Sequence, residues 1–211
     1  NERYDLVESQ KKIKEIKLND ISHPLDPLTS EEINLVTSIV KNKSNLGKFL
    51  LFETITLIEP PKNQVLSFNL GDEIRRKAFV VALNYKEEKL YELDIDISNE
   101  KILRCDHKPG VQPAFIFGDL EMDFNEWESK MKHDPLVVDA LKKRGIDDPD
   151  LLQIDPWPIA NFGKKEEEGK RLAIGRCWIR KEPGDNAYAR PIEGLSIILD
   201  LNKNEVVEIQ D

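Results

Sequence analysis

The 211-residue chain carries 31 Lys and Arg against 40 Asp and Glu, a formal charge of −9 at neutral pH, and is 39% hydrophobic and 34% charged. That acidic balance argues against a nucleic acid or an anionic membrane surface as partner, because both demand clustered Lys and Arg. The longest apolar runs, Phe49 to Phe52 and Ala78 to Leu83, fall far short of a bilayer-spanning helix. What remains is a soluble globular protein of one large domain or two small ones.

Asn1 to Asn19 reads as a charged lead-in without the basic-then-apolar pattern of a secretion signal, so a cytoplasmic location is favoured; the opening Asn suggests trimming. The first firm element follows the turn-rich stretch His23-Pro24-Leu25-Asp26-Pro27-Leu28. Thr29 and Glu32 form a capping box, and Ile33, Val36 and Val40, flanked by Leu35 and Ile39, supply the apolar stripe of an amphipathic helix. Leu50 to Ile58 is a strand candidate that ends at Pro60-Pro61. Ala78 to Tyr85 and Leu90 to Ile97 read as a hairpin around Lys86 to Glu88. In its second arm Tyr91, Leu93, Ile95 and Ile97 face one way and Glu92, Asp94 and Asp96 the other, which predicts an antiparallel sheet with one face covered by a helix. Lys101 to Cys105 is a further strand.

The order then repeats. Asp123 with Glu126 offers a second cap before Phe124, Trp127 and Met131 at helical spacing. Asp134-Pro135 starts another helix through Leu141, which Gly145 stops. Strands are expected over Arg171 to Arg180, Leu195 to Leu201 and Glu205 to Ile209. The segment Leu93 to Ile102 parallels Ser196 to Val206, with Asp96 matching Asp200, as two copies of one α+β unit require.

No catalytic constellation emerges. His23, His107 and His133 are isolated from one another in sequence. Cys105 and His107 share a strand face but supply only two ligands, too few for a metal centre. Asp94 and Asp96 read as the solvated half of the strand alternation rather than as an acid/base or calcium pair. The two cysteines, Cys105 and Cys177, are either buried thiols or one bridge. The run Lys164 to Lys170 has mixed sign and reads as an exposed loop. No phosphate loop or nucleophile elbow is present.

Three stretches are more specific than turns: His23-Pro24-Leu25-Asp26-Pro27-Leu28-Thr29; Asp134-Pro135 through Arg144-Gly145-Ile146 to Gln153-Ile154-Asp155-Pro156-Trp157-Pro158; and Tyr188-Ala189-Arg190-Pro191-Ile192-Glu193-Gly194-Leu195, followed by Asp200-Leu201. In this order and spacing they resemble the N-terminal half of the copper- and topaquinone-dependent primary-amine oxidases, from about Ser22 to Asp211.

The resemblance implies an α+β fold of two cystatin-like domains, each with helices on an antiparallel sheet, at residues 22–115 and 116–211 after a lead-in over 1–21. It implies a parent enzyme, expected to be homodimeric, that deaminates primary amines oxidatively to aldehyde, ammonia and hydrogen peroxide. Copper and topaquinone belong to its catalytic β-sandwich domain, the expected partner of this chain. Asn84-Tyr85 imitates the cofactor's Asn-Tyr dipeptide, but Lys86 follows where an acidic residue is expected. This chain alone is therefore expected to be inactive, with no catalytic residue, metal ligand or cofactor of its own. By motif, Phe124, Trp157 and Tyr188 are expected to line the substrate channel once the catalytic domain is present, while Arg190 and Glu193 hold the local turn. The alternative is a free-standing binding module. Protease inhibition of the cystatin kind is disfavoured, because Gly110-Val111-Gln112-Pro113 lacks the Gln-x-Val-x-Gly wedge.

Overall fold

The computed structural model describes residues 21–111, 113, 124–159, 164–168 and 170–211. The chain divides into two compact units, residues 1–108 and 109–211. The boundary expected at residues 115 and 116 lies outside the described residues, as do nearly all of the lead-in and the cap at Asp123.

In the first unit, helix α1 (Ser30–Lys43) begins at the expected box: Glu32 N–H donates to the Thr29 hydroxyl, and the Glu32 carboxylate accepts from Thr29 N–H. Glu31 and Glu32 in its first turn and Lys41 and Lys43 in its last complement the helix dipole. The buried face is Glu32, Leu35, Val36, Ile39 and Val40. Ile33, expected on that stripe, is 36% exposed; the polar Glu32 takes the inward position beside it.

Strands β1 (Leu50–Leu57), β2 (Lys77–Asn84), β3 (Lys89–Asp96) and β4 (Lys101–His107) form an antiparallel sheet in the order β1-β2-β3-β4. Its inner face, including Val80, Ala82, Leu93 and Ile95, packs with α1 into one core. A short helix, α2 (Lys62–Ser67), joins β1 to β2 and buries none of its residues. It was not expected from the sequence, having no apolar period to announce it.

The second unit opens with α3 (Phe124–Lys132) and α4 (Pro135–Lys142). Trp127 and Met131 of α3, with Val137, Ala140 and Leu141 of α4, are buried in the second core. Asp134 accepts from Leu136 N–H at 2.9 Å, and Pro135 occupies the first turn, where its missing N–H costs nothing. Strands β5 (Leu152–Pro158), β6 (Leu172–Ile179), β7 (Pro191–Asp200) and β8 (Glu205–Gln210) form the second antiparallel sheet, in the order β5-β6-β7-β8.

Two strand assignments need correction. β5 coincides with the Gln153–Pro158 motif, where the sequence reading placed no strand. It is an edge strand, and Ile154 N–H points away from β6 to the Glu128 carboxylate at 3.3 Å. Pro156 and Pro158, two and four residues on, occupy positions of the same sense, where no ladder donor is lost. β7 begins four residues before the expected Leu195. The extra length is the Pro-Ile-Glu-Gly stretch, which leaves register with β6 between Arg176 and Trp178.

The repeat is explicit at the β3–β4 and β7–β8 hairpins. Asp96 and Asp200 each end a strand and accept turn N–H groups, from Asn99 in one case and from Asn202 and Lys203 in the other. Glu100 and Asn204 both take positive φ, 49° and 56°. Each outer strand then carries a bulge that turns out an apolar residue, Leu103 (47% exposed) and Val207 (46%). The carbonyls of Arg76 and Arg171 accept from Ile97 and Leu201 N–H at 3.0 and 2.8 Å.

Candidate functional site

The outer face of the second sheet, opposite its helices, holds two of the three aromatic residues singled out by the sequence, Trp157 and Tyr188. Alternation along β5 turns Leu152 and Ile154 into the core and Gln153, Asp155 and Trp157 outward. Directly opposed side chains share a face, so Trp178, Arg176 and Ile174 of β6, which face Gln153, Asp155 and Trp157, are also outward. Trp157 is 58% exposed, with its indole N–H donating to Asp155 Oδ2 at 3.3 Å.

Tyr188 sits in the one-turn 3-10 segment Ala187–Ala189 and is 57% exposed. Asn186 caps that turn, accepting Tyr188 N–H at 3.0 Å. The Tyr188 ring meets Trp178 edge to face, with centroids 5.1 Å apart and planes at 75°. Trp178 pairs with Gln153, four residues from Trp157, so Trp178 and Trp157 stand about 13 Å apart along the strands, with Asp155 and Arg176 between them. They share a face without touching. Phe124 starts α3; its side chain lies outside the described residues.

The loop before β7 is held by Asp185, which accepts from Lys181 and Asn186 N–H and pairs with Arg190 at 2.5 Å. The Lys181 amide and the Arg190 guanidinium keep its carboxyl below the usual carboxylate range. Arg190 thus fastens the turn, and its own carbonyl accepts Ile179 N–H at 2.9 Å. Beyond it the Pro191–Leu195 stretch walls an open recess of about 640 Å³ with Arg176, Cys177 and Trp178. Ile192 and Leu195 turn into the core, whereas Glu193 stays exposed beside Gly194, whose φ of +75° suits glycine. Trp178, which orders Tyr188, was not singled out in the sequence; the two-residue alternation of β6 was the signal that places it outward.

Other candidates resolve into structural roles. Asp94 receives a forked pair of hydrogen bonds from Arg104, at 2.8 and 3.0 Å, and Arg104 also binds Asp106 at 2.7 Å; these acceptors raise its pKa further. Asp96 instead caps its own turn through Asn99, so the two aspartates are not a working pair. Tyr85 packs edge to face on Phe49 with Lys86 over both rings. His107 packs against Tyr91 with ring centroids 5.4 Å apart and planes tilted by 42°.

Both cysteines are free, which removes the bridge; Cys177 is buried, but Cys105, on the edge strand β4, is exposed. Burial pushes the Cys177 thiol up to about 12. Among the described residues no group of three or more His, Cys, Asp or Glu side chains could hold a metal ion, so these residues do not fit copper and no copper chemistry is routed through them. No described helix is long and apolar enough to cross a membrane.

Comparison with known proteins accounts for the motifs. Residues 23–107 match the family model of the copper amine oxidase N2 domain, and residues 122–211 that of the N3 domain. A primary amine oxidase of Arthrobacter sp. is 32% identical over 196 residues, which cover 90% of this chain and 28% of that protein. One from Pisum sativum is 32% identical over 197 residues, with the same coverage of both. A copper-containing benzylamine oxidase from Hansenula polymorpha shares the fold at a TM-score of 0.66 and 20% identity, over 89% of this chain and 30% of that one. The chain thus spans under a third of the length of these relatives. With one matched domain following the other along nearly its whole length, this chain belongs to the copper amine oxidase family, as its N2 and N3 domains.

Proposed function

We propose that these two domains, each cystatin-like in shape, serve as the non-catalytic N-terminal region of a copper amine oxidase, pack on its catalytic β-sandwich domain and help to wall its substrate channel. The parent reaction is oxidative deamination of a primary amine to aldehyde, ammonia and hydrogen peroxide, in a homodimer whose copper and topaquinone lie outside this chain. The observation that carries the reading is the outer face of the second sheet. Two large aromatics, Trp157 and Tyr188, are more than half exposed there, although exposing such rings to water is unfavourable. Trp178 holds Tyr188 edge to face, so that ring is fixed for contact rather than loose.

A wall of this kind acts on an amine by dispersion and by cation–π attraction to its ammonium group. It excludes water and orients the tail, and it moves no proton itself. Phe124 belongs to the same proposed lining on the strength of its motif alone.

The test is association with the separately produced catalytic domain. Binding below about 100 μM, lost on replacing Trp157 and Tyr188 together by Ala, is expected. Failure to bind at that concentration overturns the docking and favours a free-standing module. In the assembled oxidase, Trp157→Ala and Tyr188→Ala should each lower kcat/KM for a bulky apolar amine about three- to tenfold. Methylamine turnover and copper content should stay unchanged.

A further inference from the structure

β4 and β5 both lie at a sheet edge, but they treat their outward backbone groups in opposite ways. In β5 every outward N–H is disposed of. That of Leu152 donates to the Pro149 carbonyl and that of Ile154 to Glu128, while Pro156 and Pro158 have none. In β4, Lys108 N–H continues the ladder by donating to Leu90 O at 2.8 Å, which makes Glu92–Asp106 and Asp94–Arg104 the hydrogen-bonded pairs. Cys105 and His107 alternate with these residues. Their N–H and C=O groups therefore point away from the sheet, where no other described strand pairs with them. The side chains of Leu103, Cys105 and His107 are exposed as well.

Charge decides how such an edge can pair. Running antiparallel to a copy of itself, β4 must set outward-facing residues opposite outward-facing ones, which restricts the register. Centred on Arg104, the pairing opposes that arginine to itself. Centred on Asp106, it opposes Asp106 to itself and Arg104 to Lys108. Centred on Cys105, it sets Arg104 opposite the second copy's Asp106, and Asp106 opposite the second copy's Arg104. Like charges directly opposed are destabilising and unlike ones stabilising, so only the register centred on Cys105 is complementary. It also lays the exposed Leu103 against the second copy's His107. Arg104 is already aimed along this row by its fork to Asp94.

We propose that β4 pairs with the β4 of a second copy of this chain, antiparallel and centred on Cys105, joining two first-unit sheets into one. The backbone of Cys105 exchanges N–H···O bonds with that of the second copy's Cys105, and the Arg104–Asp106 pairs flank them on the outer face. The bulge between Ile102 and Arg104 bends the start of the strand away, so the ladder is confined to Leu103–His107 and the association is weak. No residue of the second unit takes part, so the pairing stands or falls apart from the channel-wall reading.

The test is sedimentation equilibrium of the full 211-residue chain at physiological ionic strength, where repulsion between two chains of charge −9 is screened. A monomer–dimer equilibrium with a Kd of about 100 μM is expected. Arg104→Glu and Asp106→Lys should each abolish self-association. An equimolar mixture of the two variants should restore it, because each then meets the opposite charge at both positions. Cys105→Pro should also abolish it while sparing the monomer, whose ladder does not use that N–H, whereas Cys105→Ala should not. Amide exchange at Cys105 and His107 should slow as the concentration rises. A chain that stays monomeric up to about 1 mM overturns the pairing. So does a dimer that survives Cys105→Pro, or failure of the two charge variants to complement when each folds like the wild type by circular dichroism.

Discussion

Arg76 and Glu32 meet as a buried fork, Nε to Oε1 at 2.9 Å and Nη2 to Oε2 at 3.0 Å, with 2% and 4% of their side chains exposed. The same guanidinium donates to the carbonyls of Asp26 and Pro27, at 2.6 and 2.9 Å. Glu32 Oε2 also accepts Thr29 N–H, so one carboxylate closes the helix cap and anchors the arginine that ties the His23–Leu28 turn to the sheet. The Pro-rich motif has that shape because its carbonyls face Arg76.

Removing one partner leaves a buried charge uncompensated. Arg76→Met is therefore expected to cost about 3–5 kcal/mol, against about 1 kcal/mol for Thr29→Ala, which loses only the cap. All three tryptophans, Trp127, Trp157 and Trp178, belong to the second unit. Urea unfolding followed by circular dichroism should therefore show the loss while the tryptophan signal of the second unit keeps its midpoint. Equal effects of the two substitutions would refute the argument.

Gly175 lies where β6 crosses the second core. A Cβ there would stand 2.9 Å from Ile154 Cγ2 and 3.4 Å from Ile197 Cβ, both on fully buried side chains. Gly175→Ala should destabilise the second unit by about 1–3 kcal/mol through overpacking. Trimming the neighbour, in the Gly175→Ala, Ile154→Val double variant, should recover part of that loss. Tryptophan-monitored unfolding measures both, and a neutral Gly175→Ala would contradict the packing.

Much of this architecture was legible in the chain. Thr29 with Glu32, Asp134-Pro135 and the alternation from Tyr91 to Ile97 are local signals, and the structure places each as expected. The misses are long-range. Glu32 is an ordinary exposed acid until Arg76, 44 residues on, draws it inward. β5 hides behind Pro156 and Pro158, harmless only because the strand is an edge, and edge position is a property of the sheet. At the candidate site, Trp157 and Tyr188 could be named by motif, whereas Trp178 had only the alternation of β6 to mark it, and its contact with Tyr188 exists only in the fold.

The two thiols should differ sharply towards a disulfide reagent. Cys105 is exposed, though partial desolvation of its thiol and the neighbouring Asp106 raise its pKa; Cys177 is buried, with its thiol pushed up to about 12. The thiolate is the reactive form, so one thiol should titrate in the native protein and the second only in denaturant. Cys105→Ser should abolish the native reaction. Two thiols reacting at similar rates without denaturant would show that the second core is open.

Acid should loosen the Tyr188 turn before it unfolds the core. Asp185 has its carboxyl held below its ordinary value of 3.8, first by the Lys181 N–H and then by Arg190. A group whose folded pKa is depressed contributes stability that is complete above its unfolded pKa and is lost as pH falls through the folded one. The Tyr188–Trp178 contact should accordingly be intact down to about pH 4 and weaken below it. Asp185→Asn removes the titrating charge, so in that variant the turn should be looser at neutral pH and change little on acidification. Near-ultraviolet dichroism of Trp178, with Trp157→Phe and Trp127→Phe controls to assign the signal, follows the contact directly. A wild-type signal that stays flat from pH 6 to below the Asp185 transition would mean that the ring pair is held by packing alone.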